Sequence, residues 1–156
     1  MSQEPSPCFA YYQIWGHPTK SFFVGSLVVV DTYGNPVEYV YSDKMRVDEL
    51  KQLLYGESLE GYLASEVIGS SILEKLTQIP SFIFVNKESL LSFRTKIQIP
   101  VLMIKKTGNA QVYDYIPNKN EKGDEILFER LQQNAIQYDI YEPFNRLESR
   151  AFSQFA

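Results

Sequence analysis

SFFVGSLVVVDTYGNPVEYVYS, residues 21–42, decides the fold. Its first half, 21–31, is rich in β-branched residues, and in its second half Val37, Tyr39 and Tyr41 alternate with Glu38, Val40 and Ser42. Such runs favour extended backbone, and the two-residue period gives a strand two different faces. Tyr33-Gly34-Asn35-Pro36 interrupts them, so the pair reads as a β-hairpin. Upstream, FAYYQIWG (9–16) is another strand, ended by Gly16-His17-Pro18, and completes a three-stranded antiparallel meander.

Downstream the period changes from two to 3.6. Val47 to Tyr55 fits a short helix with Val47, Leu50, Leu53 and Leu54 on one side, stopped by Gly56. Glu57 to Thr77 fits a longer one, with Leu59, Tyr62, Leu63, Val67, Leu73 and Leu76 at three- and four-residue steps. Gly61 and Gly69 each cost a helix about 1 kcal/mol against alanine, which predicts close packing there. SFIFV (81–85) is apolar nearly throughout and VLMI (101–104) is a second such run, as strands covered on both faces are, with a short helix over 87–95 between them. That spacing predicts a right-handed parallel βαβ unit. AQVYDYI (110–116) should pair antiparallel with 101–106 as an edge, NKNEKGDE (118–125) reads as a charged loop, and helical patterns return at 125–133 and 142–154.

The expected fold class is therefore α/β: a mixed sheet, antiparallel three-strand meander plus parallel βαβ unit, with flanking helices and a C-terminal helical segment. Residues 1–8 read as a flexible lead, and 9–156 as one domain with C-terminal helices over about 125–155.

Composition narrows the chemistry. The 156 residues carry a net charge of −4, which argues against a general affinity for phosphate backbones. One cysteine, Cys8, allows no internal disulfide, and one histidine, His17, allows no Cys/His zinc cluster. No activated Ser or Cys accompanies His17 at a motif spacing, so Gly-His-Pro reads as a turn. Gly25-Ser26 and Gly69-Ser70-Ser71 lack the strand-loop-helix context and lysine of a phosphate loop, leaving close packing as their role. MSQEPSPC has neither the basic nor the apolar region of a signal peptide, and no apolar run approaches the ~20 residues of a membrane helix. The expectation is a cytoplasmic protein with no membrane partner.

GYLASEVIGSSILEKL (61–76), SFIFVN (81–86) and IPVLMIKK (99–106) resemble the helix, strand and following strand of endonuclease V, and the element order over about residues 20–106 resembles the ribonuclease-H-like fold. The resemblance implies a nuclease that gathers acids from separate strands and a helix around divalent metal, Mg or Mn. The catalytic acids are not matched. FAYYQIWG contains no carboxylate, Asn86 stands where one should follow the later strand, and Glu66 lies near the expected helix position.

The remaining candidates each have a structural reading beside the functional one. Asp31 and Glu38 with Glu66 would be the catalytic set of a divergent nuclease, but Asp31 suits a turn and Glu38 an outward strand position. Asn86, Lys87, Arg94, Lys96, Lys105 and Lys106 lie where the βαβ unit ends and would touch a nucleic acid or small ligand, or form a solvated basic face. The aromatic ends supply an interface set: Tyr11, Tyr12 and Trp15, with Tyr141, Phe144, Leu147, Phe152 and Phe155. Phe144, Leu147, Ala151 and Phe155 form one helical stripe, for a partner or for the chain's own sheet. The leading reading is a non-catalytic interaction or accessory subunit of a cytoplasmic multi-protein assembly, one acting on nucleic acid included. It carries no cofactor, a protein partner or a second copy of the chain, and nucleic acid only indirectly. The alternatives are the metal-dependent nuclease and a small-ligand-binding regulatory domain.

Overall fold

The computed structural model describes residues 7–17, 19–106, 113–116 and 137–155. The meander forms as expected: β1 (Phe9–Gly16), β2 (Phe22–Val30) and β3 (Pro36–Tyr41) are antiparallel neighbours. A two-residue β4 (Met45–Arg46) pairs with the start of β2. The chain then crosses over through α1 (Glu49–Tyr55), a tight turn (Gly56–Ser58), α2 (Leu59–Tyr62), a π-helical turn (Leu63–Val67) and α3 (Ile68–Lys75). It returns as β5 (Phe82–Val85), parallel to β1. After a 3₁₀ segment (Glu88–Lys96), β6 (Val101–Lys106) lies parallel to β5, and β7 (Tyr113–Ile116) pairs antiparallel with β6. The α4 helix (Glu142–Phe155) follows. Among the described residues the sheet runs β3-β2-β1-β5-β6-β7, with β4 beside β2. This is the mixed α/β sheet read from the sequence.

Alternation along the strands divides the core in two. Ala10, Tyr12 and Ile14 of β1 pack with Leu27, Val29, Ile83, Val85 and Val101 under the crossover helices, where Leu63, Ile68, Ile72 and Phe93 meet them. Phe9, Tyr11, Val28, Phe84, Leu102 and Ile104 face the other way, onto Ile140, Phe144 and Leu147. A third group, Phe22, Val24, Ala151 and Phe155, closes the far end of α4 against Trp15. The C-terminal stripe is thus core. Tyr11, Tyr12, Phe144, Leu147 and Phe155 are buried inside the chain, which corrects their reading as interface residues: a side chain covered by its own sheet presents no surface to a partner.

The long helix is not continuous. In the π-helical turn the N–H of Ile68 reaches back to the Leu63 carbonyl, and the Ala64 carbonyl instead accepts from the buried Tyr12 hydroxyl at 2.8 Å. Close approach explains two of the glycines. A Cβ on Gly25 would collide with the Ile68 side chain, and one on Gly69 would collide with the Ala64 carbonyl while Phe93 stands 2.9 Å away. Gly61 has only ordinary neighbours, so the packing reason expected there is absent.

The α1 helix departs further from expectation. Val47 is buried but precedes the helix, whereas Leu50, Leu53 and Leu54 are 64%, 74% and 74% exposed, and no residue of α1 is buried. Its apolar side faces away from the core. The helix is held at its ends: Asp48 Oδ1 accepts from the Lys51 N–H at 2.7 Å, and Gly56, at φ 53°, donates to the Gln52 carbonyl.

Among the described residues no helix is long and apolar enough to cross a membrane. The residues expected to form the lead at 1–6, the start of the edge strand at 110–112, the loop at 118–125 and the helix at 125–133 lie outside those described.

Gly→Ala inside a helix ordinarily stabilises by about 1 kcal/mol. Gly69→Ala should do the reverse, lowering stability by about 1–3 kcal/mol because a fixed backbone carbonyl occupies the Cβ position. Urea unfolding of the two proteins measures it, and an unchanged or raised midpoint would contradict the packing described.

Candidate functional site

Parallel strands direct their carboxyl ends to one edge of the sheet, where open α/β sheets hold ligands. Here β1, β5 and β6 end together. On the α4 side an apolar row formed by Val28, Tyr11, Phe84 and Leu102 gives way, one level further along, to polar residues. Gln13 pairs with buried Ser26 of β2, and Asn86 follows β5 one step beyond the last paired residues, Tyr12 and Val85. The side-chain oxygens of Gln13 and Asn86 are both buried and accept no hydrogen bond among the described residues. Two neutral amides, each able to donate and to accept, therefore stand near the centre of this edge.

The charged candidates gather around it in pairs. Lys87 lies 3.2 Å from Glu60, and Lys96 lies 2.8 Å from Glu66. Arg94 donates through Nη1 to the Ile97 carbonyl at 2.8 Å. Lys105 and Lys106 end β6, but their side chains lie outside the described residues. Basic groups are thus present, and the two lysines whose contacts are seen are neutralised by glutamates.

Asp31 and Glu38 are at the other end of the sheet. Val30, just before Asp31, pairs with Phe9, four residues or about 13 Å of strand from Gln13. Asp31 shapes its own turn, with Oδ1 accepting from the Tyr33 and Asn35 N–H groups at 2.9 Å each. Glu38 fastens the segment after α3, accepting from the N–H groups of Thr77 and Gln78 and from the Thr77 hydroxyl. Neither joins Glu66, and no three His, Cys, Asp or Glu side chains converge among the described residues. This corrects the catalytic set Glu66, Asp31 and Glu38. Bound Mg or Mn needs converging anionic oxygens, and the uncharged amides of Gln13 and Asn86 beside paired Glu60 and Glu66 do not fit such a site.

His17 closes a turn. Its Nδ1 accepts from the N–H groups of Thr19 and Lys20 at 3.0 Å each, and its pKa is lowered by partial desolvation, then by Lys20 and Lys44. That is the structural role read from Gly-His-Pro. Of the remaining aromatic candidates, Trp15 and Tyr141 are half-buried, the first against Phe22 and Phe155 and the second against Phe144, while Phe152 is 58% exposed.

Sequence reading passes over Gln13 and gives the leucines of α1 a packing role. Gln13 is a polar interruption of an aromatic strand, and only the pairing of β1 with β5 brings it to the sheet edge where Asn86 follows. The leucines were read as a packing stripe, and only the tertiary structure shows them uncovered.

No protein-family model and no curated protein matches the chain. Solved structures do show likeness. The endonuclease V of Bacillus subtilis matches at 16% identity and a TM-score of 0.39, over 66% of this chain and 45% of that one. The endonuclease V of Streptomyces avermitilis matches at 13% identity and a TM-score of 0.43, over 66% and 48%. The Argonaute of Marinitoga piezophila, solved with a guide RNA, matches at 12% identity and a TM-score of 0.34, over 72% of this chain and 18% of that one. The chain spans about half the length of these two endonuclease V structures. The likeness is weak and partial, like the resemblance read in the sequence.

The hydrogen bonds to Asp31 and Glu38 should be visible in titration. Donation chiefly from the Asn35 N–H lowers the Asp31 pKa, and at Glu38 burial pulls upward but the donors of Gln78 and Thr77 outweigh it. A carboxylate whose pKa is depressed in the folded state stabilises the fold above its ordinary pKa, and that stabilisation is lost as pH falls through the depressed value. Carboxyl-carbon NMR titration should find both midpoints below the ordinary Asp and Glu values, with stability declining below about pH 4. Ordinary midpoints would show that the two residues do not fasten these segments.

Proposed function

We propose that this chain is a non-catalytic interaction subunit of a cytoplasmic multi-protein assembly, one that acts on nucleic acid. The observation that carries the proposal is α1, a capped helix whose three leucines point outward. Contiguous exposed apolar groups mark interaction sites, because uncovered apolar surface costs free energy in water. The chemistry of the sheet edge supports the same reading. Neutral amides occupy its centre, the nearby lysines are paired with glutamates, and Asp31 and Glu38 are engaged in local structure. The nucleic-acid part follows the sequence resemblance of 61–76, 81–86 and 99–106, and contact with the nucleic acid is assigned to other subunits because the chain's net charge is −4.

A second reading is favoured by one feature, the two buried amide oxygens of Gln13 and Asn86, which have no donor among the described residues. A small ligand carrying N–H or O–H groups would satisfy both, in a regulatory role. A rise in melting temperature with a nucleoside or nucleotide, removed by Asn86→Leu, would establish that reading, and no shift across such a panel would end it.

Two measurements test the main proposal. In extracts of its own cells the chain should elute with an assembly much larger than its 18.0 kDa mass. Purified and supplied with Mg or Mn, it should leave single- and double-stranded DNA and RNA intact, with Glu66→Gln indistinguishable from the unaltered protein. Elution as an 18.0 kDa monomer, or metal-dependent cleavage abolished by Glu66→Gln, would overturn it.

A further inference from the structure

The outer edge of β3 is a recognition surface separate from α1, and its reading rests on the interaction-subunit proposal. Among the described residues β3 ends the sheet on this side. Ser42, just after it, donates its N–H to the Gly25 carbonyl at 2.8 Å. Along an antiparallel pair, positions bonded through the backbone alternate with positions that are not. Counting back from Ser42, Val40 and Glu38 turn their backbone groups toward β2, and Tyr39 and Tyr41 turn theirs outward. The Lys75 ammonium marks the outward side by donating to the Tyr41 carbonyl at 2.7 Å. The Tyr39 N–H and carbonyl and the Tyr41 N–H bond nothing among the described residues. Pro36, the extra residue Val37 at the register shift, and Lys75 blunt the rest of the edge, as natural sheets do against indiscriminate pairing. A short window centred on Tyr39 stays open.

Beside that window a cavity of about 220 Å³ lies between β3 and α4, lined by Val28, Pro36, Tyr39, Arg146, Leu147 and Arg150. Val37 is the bulged residue, so Pro36 and Tyr39 share the α4 side with a gap between them. Small-molecule sites enclose about 300–1,000 Å³, so this smaller hollow suits a single apolar side chain. Arg146 is engaged by Glu142 at 2.6 Å and by the Gly34 carbonyl at 2.7 Å. Arg150, one turn on, faces the Tyr39 hydroxyl and has no carboxylate partner among the described residues. Glu148 projects from the other side of the helix.

We infer that β3 accepts, as an added strand, a short extended segment of a different protein. The segment places one apolar side chain in the cavity and an acidic one, two residues along on the same face, against Arg150. Each part of that occupant follows from its own observation. Outward N–H and carbonyl groups require an extended backbone, the cavity an apolar side chain, and Arg150 an anion. In strand addition main-chain hydrogen bonds give affinity, and pockets for alternate side chains give specificity. A second copy of the chain is a poorer occupant. Two β3 strands paired about Tyr39 would bring Arg150 toward Arg150, and like charges set together oppose association.

Hydrogen exchange and peptide selection on the full chain test this. In the free protein the Tyr39 amide should exchange at least tenfold faster than that of Val40, which is turned to β2. Random peptides displayed on phage and selected on the chain should carry an apolar residue with an acidic one two positions away. Once synthesised, they should lose at least tenfold in affinity when N-methylated at the amides facing β3, and little at the alternate amides. Their binding should slow Tyr39 exchange at least tenfold. Arg150→Glu should weaken binding with the melting temperature unchanged, and a lysine in place of the peptide's acidic residue should restore it. Tyr39 protection in the free chain would overturn the inference: if constant, the chain covers its own edge, and if it grows with protein concentration, a second copy does. No selected peptide, or methylation effects without the two-residue alternation, would overturn it as well. Any of these failures, with the chain still eluting in a large assembly, leaves the interaction-subunit reading intact, whereas a free monomer would overturn both.

Discussion

One hydrogen bond sets the distance between the sheet and the helices that cross it. The Tyr12 hydroxyl, buried in the middle of β1, donates to the Ala64 carbonyl. That carbonyl is available because the π-helical turn sends the Ile68 N–H to Leu63 instead. The extra residue in the turn brings Ile68 down onto Gly25 and Gly69 against Ala64 and Phe93, with no room for a Cβ at either glycine. A buried phenol without an acceptor would cost about 1–3 kcal/mol, so the irregularity in the helix and the tyrosine in the strand depend on one another. Burial also drives the Tyr12 pKa well above its ordinary value, which keeps the hydroxyl protonated as the donor.

With that face closed by the crossover, the opposite face of β1 must find cover elsewhere. The α4 helix provides it, and the aromatic residues at the two ends of the chain meet there. Tyr11 lies edge-on to Phe144 at 5.0 Å, and its hydroxyl is 2.8 Å from that of Tyr138. Arg146 ties the helix to the hairpin turn through the Gly34 carbonyl, while Gln137 donates to the Thr32 carbonyl. An aromatic cluster that resembles an interface in one dimension is thus an internal seam in three. Among the described residues, the short helix between the hairpin and the crossover keeps its leucines exposed.

The same economy of placement governs the charged groups. Carboxylates at strand ends and turns are held by backbone N–H groups, and glutamates on the crossover helices by lysines from the segment that follows β5. At the edge where three parallel strands end, the buried amide oxygens of Gln13 and Asn86 accept no hydrogen bond among the described residues. An amide can both donate and accept hydrogen bonds and carries no charge at neutral pH.

The sequence by itself determined the meander, the parallel pair and hence a mixed sheet, because alternation, turn residues and apolar runs are local properties of the chain, whereas the pairing of β1 with β5 and the short β4 came from the tertiary structure. The sequence also showed that the first strand lacks a carboxylate and that Asn86 follows the later one. Only the tertiary structure decided which of two similar helical stripes is core. Phe144, Leu147, Ala151 and Phe155 find a sheet face to cover, while Leu50, Leu53 and Leu54 do not, although their spacing carries the same signal. It alone brought Gln13 of β1 and Asn86, just past β5, to one edge of the sheet, and set Tyr12 beneath Ala64, 52 residues away in the chain. Periodicity states that a side needs cover and is silent on what lies opposite, because burial is a relation between segments brought together only by folding.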